Sequence, residues 1–204
     1  VNGAAIVAQA RHPAFYEDYR VPDTVDGRFE MIALHAFLLL HRLKRDPERS
    51  AALGQAVFDA MFLDMDASLR DTIQQVNASA QQVAELNRLI VANSAGGAQP
   101  TDLLDQRHNL IDQMAQLIGT TQVPDAYGNI SLVLPGGVTL VSAGKATTLN
   151  IQGNNTNKGH VDVLFTPSTG SDLVVLNGAE MGGKVAGLLS ARDQDLGPAS
   201  LDLD

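Results

Sequence analysis

From Phe58 onward, apolar positions recur at Phe62, Met65, Leu69, Ile73, Val76, Ala80, Val83, Leu86 or Asn87, and Ile90. The steps are mostly fours and threes and average about 3.6, the α-helical period. No Gly or Pro lies between Gln55 and Asn93, and Ser50 is a suitable N-cap. The pattern predicts one helix over about 50–93, on the order of 60 Å long at 1.5 Å per residue. A helix of that length cannot bury itself in a small domain and calls for a bundle or a coiled coil. The alternative is two helices broken near Arg70-Asp71.

Upstream, Asp26-Gly27-Arg28 reads as a turn, followed by helical spacing at Phe29, Ile32, Ala33, Ala36, Phe37, Leu40 and Leu43. Asp46-Pro47 ends that helix. Downstream of Ser94–Gly97, Thr101 is the expected cap of a further helix, with Asp102 in its first turn. Its inner face runs through Leu103, Leu104, Arg107, Leu110, Ile111, Met114, Leu117 and Ile118, and Gly119 stops it. The two long patterns predict an antiparallel helical hairpin.

From Val123 the period changes to two. Ile130–Leu134, a Pro135-Gly136-Gly137 turn and Val138–Ser142 predict a β-hairpin. Further strands fit Thr147–Ile151, Val161–Thr166 and Leu173–Leu176, with a polar loop at Gly153–Gly159. Alternation places Val161, Val163 and Phe165 on an inner face, with Asp162 and Leu164 pointing away. Val185–Ser190 resumes a helical pattern, and the acidic tail Asp202–Asp204 is expected to fray. The fold class is α+β: N-terminal helices and a long helix in a bundle or hairpin, then a small antiparallel β domain and a short C-terminal helix.

Composition divides the chain near residue 70. Residues 1–70 hold seven of the nine aromatics but only three of the 18 glycines. One core would not ordinarily segregate its aromatics in this way. The expected organisation is therefore 1–70 helical, 71–122 a helical hairpin sharing the long helix, 123–180 a small β domain, and 181–204 a return helix and tail. The net charge of −9 argues against a nucleic-acid partner, which needs clustered Lys and Arg. The absence of cysteine removes disulfides, thiolate metal sites and a cysteine nucleophile. The longest apolar run, Met31–Leu40, is about half of the roughly 20 residues of a membrane helix. Val1–Ala10 lacks a signal-peptide pattern, so the chain reads as soluble, its compartment open.

Chemistry-bearing patterns are sparse. Asp105, His108 and Asp112 share a helical face, but a solvated face with i,i+4 pairs accounts for them. His35 and His41 lie about 240° apart around a helix and do not converge. Ser142-Ala-Gly-Lys145 resembles the end of a phosphate loop, yet Thr139 stands where the first glycine is required. Neither a Gly-x-Ser-x-Gly elbow nor a nucleophilic set appears. No catalytic, cofactor or metal site is expected. Asp23, Asp26, Arg28, Phe29 and Phe37 are the candidate partner-binding residues, although Asp-Gly is ordinary turn chemistry.

Two resemblances emerge from the residues. Gln81-Gln-Val-Ala-Glu-Leu-Asn87, Asp102-Leu-Leu-Asp-Gln-Arg-His-Asn-Leu-Ile111 and Gly187-Leu-Leu-Ser-Ala-Arg-Asp-Gln-Asp-Leu196 make residues 71–204 similar to the flagellar hook-associated protein 1 family, the hook–filament junction proteins. That likeness implies a rod-like helical body carrying a β-rich part, a structural role without catalysis, and flagellar axial subunits as partners. Arg11–Tyr16, Val21-Pro-Asp-Thr-Val-Asp-Gly-Arg-Phe29 and Phe58–Arg70 make residues 3–70 resemble the ubiquinol–cytochrome c chaperones. This second likeness implies an all-α fold that attends a nascent respiratory-complex subunit, cytochrome b. Together they imply a chimera-like chain, with oligomerisation available through the long helix. The alternative function is a client-binding chaperone in which residues 1–70 act and the rest is scaffold.

Overall fold

The computed structural model describes residues 3–43, 47–94, 99–157, 159–167 and 173–196. They form two compact units that divide after Asp64, inside the long helix.

In the first unit, α1 (Gly3–Ala10), α2 (Pro13–Glu17) and α3 (Val25–Leu43) precede the start of α4 (Pro47–Ser94). Ile6, Ala10, Met31, Ala36, Val57, Phe58 and Phe62 are buried there. Phe58 and Phe62, one turn apart, stack with ring centroids 6.2 Å apart. Asp26-Gly27-Arg28 is not a turn but the first turn of α3. Thr24 Oγ1 accepts the Gly27 N–H at 3.1 Å, as an N-cap side chain does. Gly27 is needed for space, because a Cβ there would meet the Pro22 carbonyl oxygen at 2.1 Å. α4 begins at Pro47, ahead of Ser50, since proline suits a first helical position that has no use for its missing N–H.

The second unit holds the rest of α4, which passes Arg70-Asp71 unbroken. It continues with α5 (Thr101–Ile118), seven strands and α6 (Gly183–Ser190). Pro100, not Thr101, occupies the N-cap of α5, with no side-chain cap bond. β1 (Thr121–Pro124), β2 (Ile130–Val133), β3 (Thr139–Ser142) and β4 (Lys145–Ala146) form one antiparallel sheet in chain order. β5 (Leu149–Gly153), β6 (Val161–Phe165) and β7 (Val174–Leu176) form another. The predicted Pro-Gly-Gly hairpin is present: Leu134 N–H donates to Val138 and Gly137 N–H to Leu134. After α6 the backbone widens into a π-helical turn over Ala191–Leu196. The tail residues 202–204 lie outside the described residues.

One core joins helices and sheets. Leu69, Ile73, Val76, Ala80 and Val83 of α4 pack in a cluster with Ile111, Met114 and Ile118 of α5. The same cluster takes Leu132, Leu140, Val141, Leu149, Val161, Val163 and Leu176 from both sheets and Val185 and Leu189 from α6. Phe165, expected as an inner-face anchor, is only half-buried, and Leu164, expected outside, is buried. The direction of alternation holds: Val161 and Val163 lie in the core cluster and Phe165 packs against it, whereas Leu164 is outside that cluster and is flanked in register by Asn150 of β5 and Val175 of β7. α5 and α6 meet backbone to backbone. Gly182 N–H donates to the Ile118 carbonyl at 2.6 Å, and a Cβ on Gly119 (φ 65°) would lie 2.8 Å from Gly182 Cα.

Candidate functional site

The residues that organise the second unit are polar side chains set into the apolar stripe of α4. Asn87 is fully buried. Its Nδ2 donates to the Ile130 carbonyl at 2.9 Å and to the Ala143 carbonyl at 2.7 Å, while its Oδ1 accepts the Ile130 N–H at 3.2 Å. Ile130 opens β2 at its pair with Pro124, next to the hydrogen-bonded pair of Asp125 and Asn129, so by antiparallel alternation its N–H and C=O point away from β1 and the Asn87 amide takes both. Ala143 sits in the tight β3–β4 turn at φ 48°, a left-handed conformation unfavourable for alanine, and Asn87 holds its carbonyl. This turn is the Ser142–Lys145 segment, a hairpin corner rather than a phosphate loop.

Asn77 makes the same kind of clasp on β5. Its Nδ2 donates to the Leu149 carbonyl at 2.8 Å and its Oδ1 accepts the Leu149 N–H at 2.9 Å. Asp66 receives the first N–H of β6, from Val161, at 3.3 Å on Oδ2. The Val161 carbonyl is taken by Arg192 Nη1 at 2.6 Å, and the same Nη1 lies 3.0 Å from Asp66 Oδ1. His160 Nδ1 stands 3.6 Å from Asp66 Oδ2. At about 100° per residue, Asp66, Asn77 and Asn87 fall within about 80° of one another around α4. One helix therefore grips the first residue of three strands.

Two buried arginines complete the clasps. Arg107 of α5 donates Nη1 to Asn87 Oδ1 at 2.8 Å and to the Gly128 carbonyl at 2.7 Å. Burial pushes its guanidinium below the ordinary arginine range, against the pull of Asp125. Burial also works against the charge on Arg192, but the hydrogen bond and charge of Asp193, then those of Asp66, hold it above its ordinary value. Fixed dipoles and paired charges of this kind hold backbone in place. They present neither a nucleophile beside a base nor an open ligand set. Among the described residues no three His, Asp or Glu side chains are grouped as metal ligands; His108 and Asp112 form an exposed pair at 3.4 Å.

The sequence-predicted partner residues are dispersed by comparison. Asp23 and Arg28 form an exposed ion pair at 2.5 Å, and the Arg28 hydrogen bond holds the Asp23 carboxyl below the usual range. Phe37 is 62 % exposed, stacked on His41, with Leu34 and Leu38 exposed on the same helix. The side chains of Asp26 and Phe29 lie outside the described residues. Asn77, Asp66 and Arg192 were not singled out by the sequence reading. Asn87 and Arg107 were placed on the inner faces, and a polar residue in an apolar stripe was the signal that could have marked all of the clasps on α4.

A long helix that carries two small antiparallel sheets through side-chain clasps on their backbone defines the second unit as an α+β body. The model of the flagellar hook-associated protein FlgK helical domain matches residues 53–204, and the chain belongs to that family. Among relatives, flagellar hook-associated protein 1 of Salmonella typhimurium is 28 % identical over 162 residues, covering 72 % of this chain and 29 % of that protein. The Escherichia coli protein of the same name is 27 % identical over 127 residues, covering 61 % and 23 %. The chain thus spans under a third of the length of these relatives. The flagellar hook junction protein FlgK from Burkholderia pseudomallei has the same fold, with a TM-score of 0.68 at 22 % identity over all of this chain and 36 % of that one.

The family match begins at residue 53, not 71, within the segment read as chaperone-like. The likeness to the ubiquinol–cytochrome c chaperones gains no support from these comparisons, and the fold likeness to the hook junction protein includes residues 3–70. Among the described residues no helix is long and apolar enough to cross a membrane.

Proposed function

We propose that this chain is a load-bearing segment of a flagellar axial protein at the hook–filament junction, acting through shape and contact and not through catalysis. Its partners on this reading are other flagellar axial subunits, and it requires no cofactor. The observation that carries the reading is the family match over residues 53–204. The clasps on α4 support it physically. A subunit that transmits force profits from sheets fixed to a helix by buried hydrogen bonds, which favour one arrangement over sliding alternatives. The test is cosedimentation of the chain with isolated flagellar hooks. Saturable retention in the hook pellet is expected; a chain that stays in the supernatant at all hook concentrations overturns the assignment.

A further inference from the structure

The corner between β7 and α6 carries Asn177-Gly178, an asparagine followed by a residue with no Cβ. Asn177 is exposed, and a capping box holds it from two sides. Its Oδ1 accepts the Ala179 N–H at 2.9 Å, and its own N–H donates to Glu180 Oε2 at 2.8 Å. Glu180 N–H donates in turn to the Asn177 carbonyl at 3.1 Å. Glu180 is seated on the Pro-Gly-Gly hairpin: its carbonyl accepts the Gly136 N–H at 3.0 Å, and a Cβ on Gly136 would lie 2.6 Å from Glu180 Cβ.

We propose that Asn177-Gly178 is a self-modification site, closed by this capping box and reactive only when the corner opens. The Gly178 nitrogen gives its proton to a solvent base and attacks Asn177 Cγ. The new C–N bond closes a five-membered imide, the Cγ–Nδ2 bond breaks, and the nitrogen leaves as ammonia with a proton drawn from water. Water then adds to either imide carbonyl and opens the ring to aspartate or isoaspartate, so the step consumes only water. Glycine at 178 leaves the attack uncrowded. The folded corner opposes it. Asn177 sits at ψ 170°, with the Gly178 nitrogen out of line with Cβ, and the Ala179 bond fixes the side-chain carbonyl. Ring closure requires both to rotate, which breaks the bond from Asn177 N–H to Glu180. Isoaspartate adds a methylene to the main chain between β7 and α6, so a corner that has reacted does not reclose as before.

Peptide mapping by mass spectrometry, with aspartate and isoaspartate separated, reads the reaction at residue 177 in mildly alkaline buffer. The folded chain should react at least about tenfold more slowly than the same chain in urea. Glu180→Ala should speed the folded-state reaction about fivefold, the loss of one capping interaction, while Glu180→Gln, which keeps an acceptor for the Asn177 N–H, should stay near the parent rate. In urea, where folding plays no part, Gly178→Ala should slow it about tenfold. Equal rates for the parent folded and in urea overturn the proposal, as does a Glu180→Ala rate equal to the parent's. If Glu180→Ala unfolds, Glu180→Gln decides: the parent rate supports the box as the gate, and the rate in urea overturns it. A product that is aspartate alone, or a rate in urea indifferent to Gly178→Ala, shows direct hydrolysis without the imide and also overturns it.

Discussion

Asn77 takes both the N–H and the C=O of Leu149, at 2.9 and 2.8 Å, so one side-chain amide stands where a neighbouring strand would stand. Ten residues on, Asn87 repeats the arrangement at Ile130 and adds Ala143 and Arg107. The energetic weight of such clasps lies in what their removal leaves behind. A buried N–H or C=O without a partner costs about 1–3 kcal/mol.

Asn87→Ala strips partners from Ile130, Ala143 and the Arg107 guanidinium at once. Its cost should be about 3 kcal/mol, and that of Asn77→Ala, which frees one residue's backbone at a half-buried site, about 2 kcal/mol. Urea denaturation of the two variants measures this. Asn87→Ala costing under about 1 kcal/mol would mean water or a rearranged side chain substitutes for the amide.

Asp66→Ala leaves Arg192 buried with Asp193 as its remaining carboxylate partner. Breaking one side of a buried pair costs about 3–5 kcal/mol, and retention of Asp193 favours the low end. Pairing Asp66→Leu with Arg192→Met should cost clearly less than the sum of the single changes, because the second substitution removes the stranded charge. Additive costs in a double-mutant cycle would show that the two residues are not coupled.

Asp125 organises the β1–β2 turn: its Oδ1 accepts from Tyr127 N and Asn129 N, and its Oδ2 from the Asn129 side chain. The Asn129 side-chain bond first, then these backbone N–H groups, hold its carboxyl below the ordinary 3.8. A carboxyl depressed in the folded state adds stability above its unfolded pKa and loses it as pH falls through the folded value. The difference in denaturation midpoint between the parent and Asp125→Ala should therefore be flat from pH 7 to about 5 and shrink below about pH 4. A difference unchanged down to pH 2 would separate the turn from the carboxylate's charge.

The long helix, the α5 stripe and the Pro-Gly-Gly hairpin were legible because each is a local pattern: period, cap or turn chemistry. What escaped was long-range. The partner of Asn77 is 72 residues away and that of Asp66, Arg192, is 126 residues away. Period-two reasoning also made Phe165 an anchor, whereas Leu132 and Leu140, on the two strands of the hairpin, are fully buried. Leu132→Ala should then cost about 2–5 kcal/mol and Phe165→Ala less than the 3–5 kcal/mol of a fully buried phenylalanine. Thermal melts that rank Phe165→Ala as the more damaging change would restore the sequence-based choice.

Residues 65–196 form one compact unit in which helices and sheets share a core pinned by side chains of α4. Native-state hydrogen exchange tests this most directly. The slowest amides of β2, β5 and β6 should open with the same free energy and the same urea dependence as those of α4 beyond Met65 and of α5, as one cooperative unit. Sheet amides that exchange through a smaller opening, while the helices remain protected, would make the β part an independent domain and contradict the account.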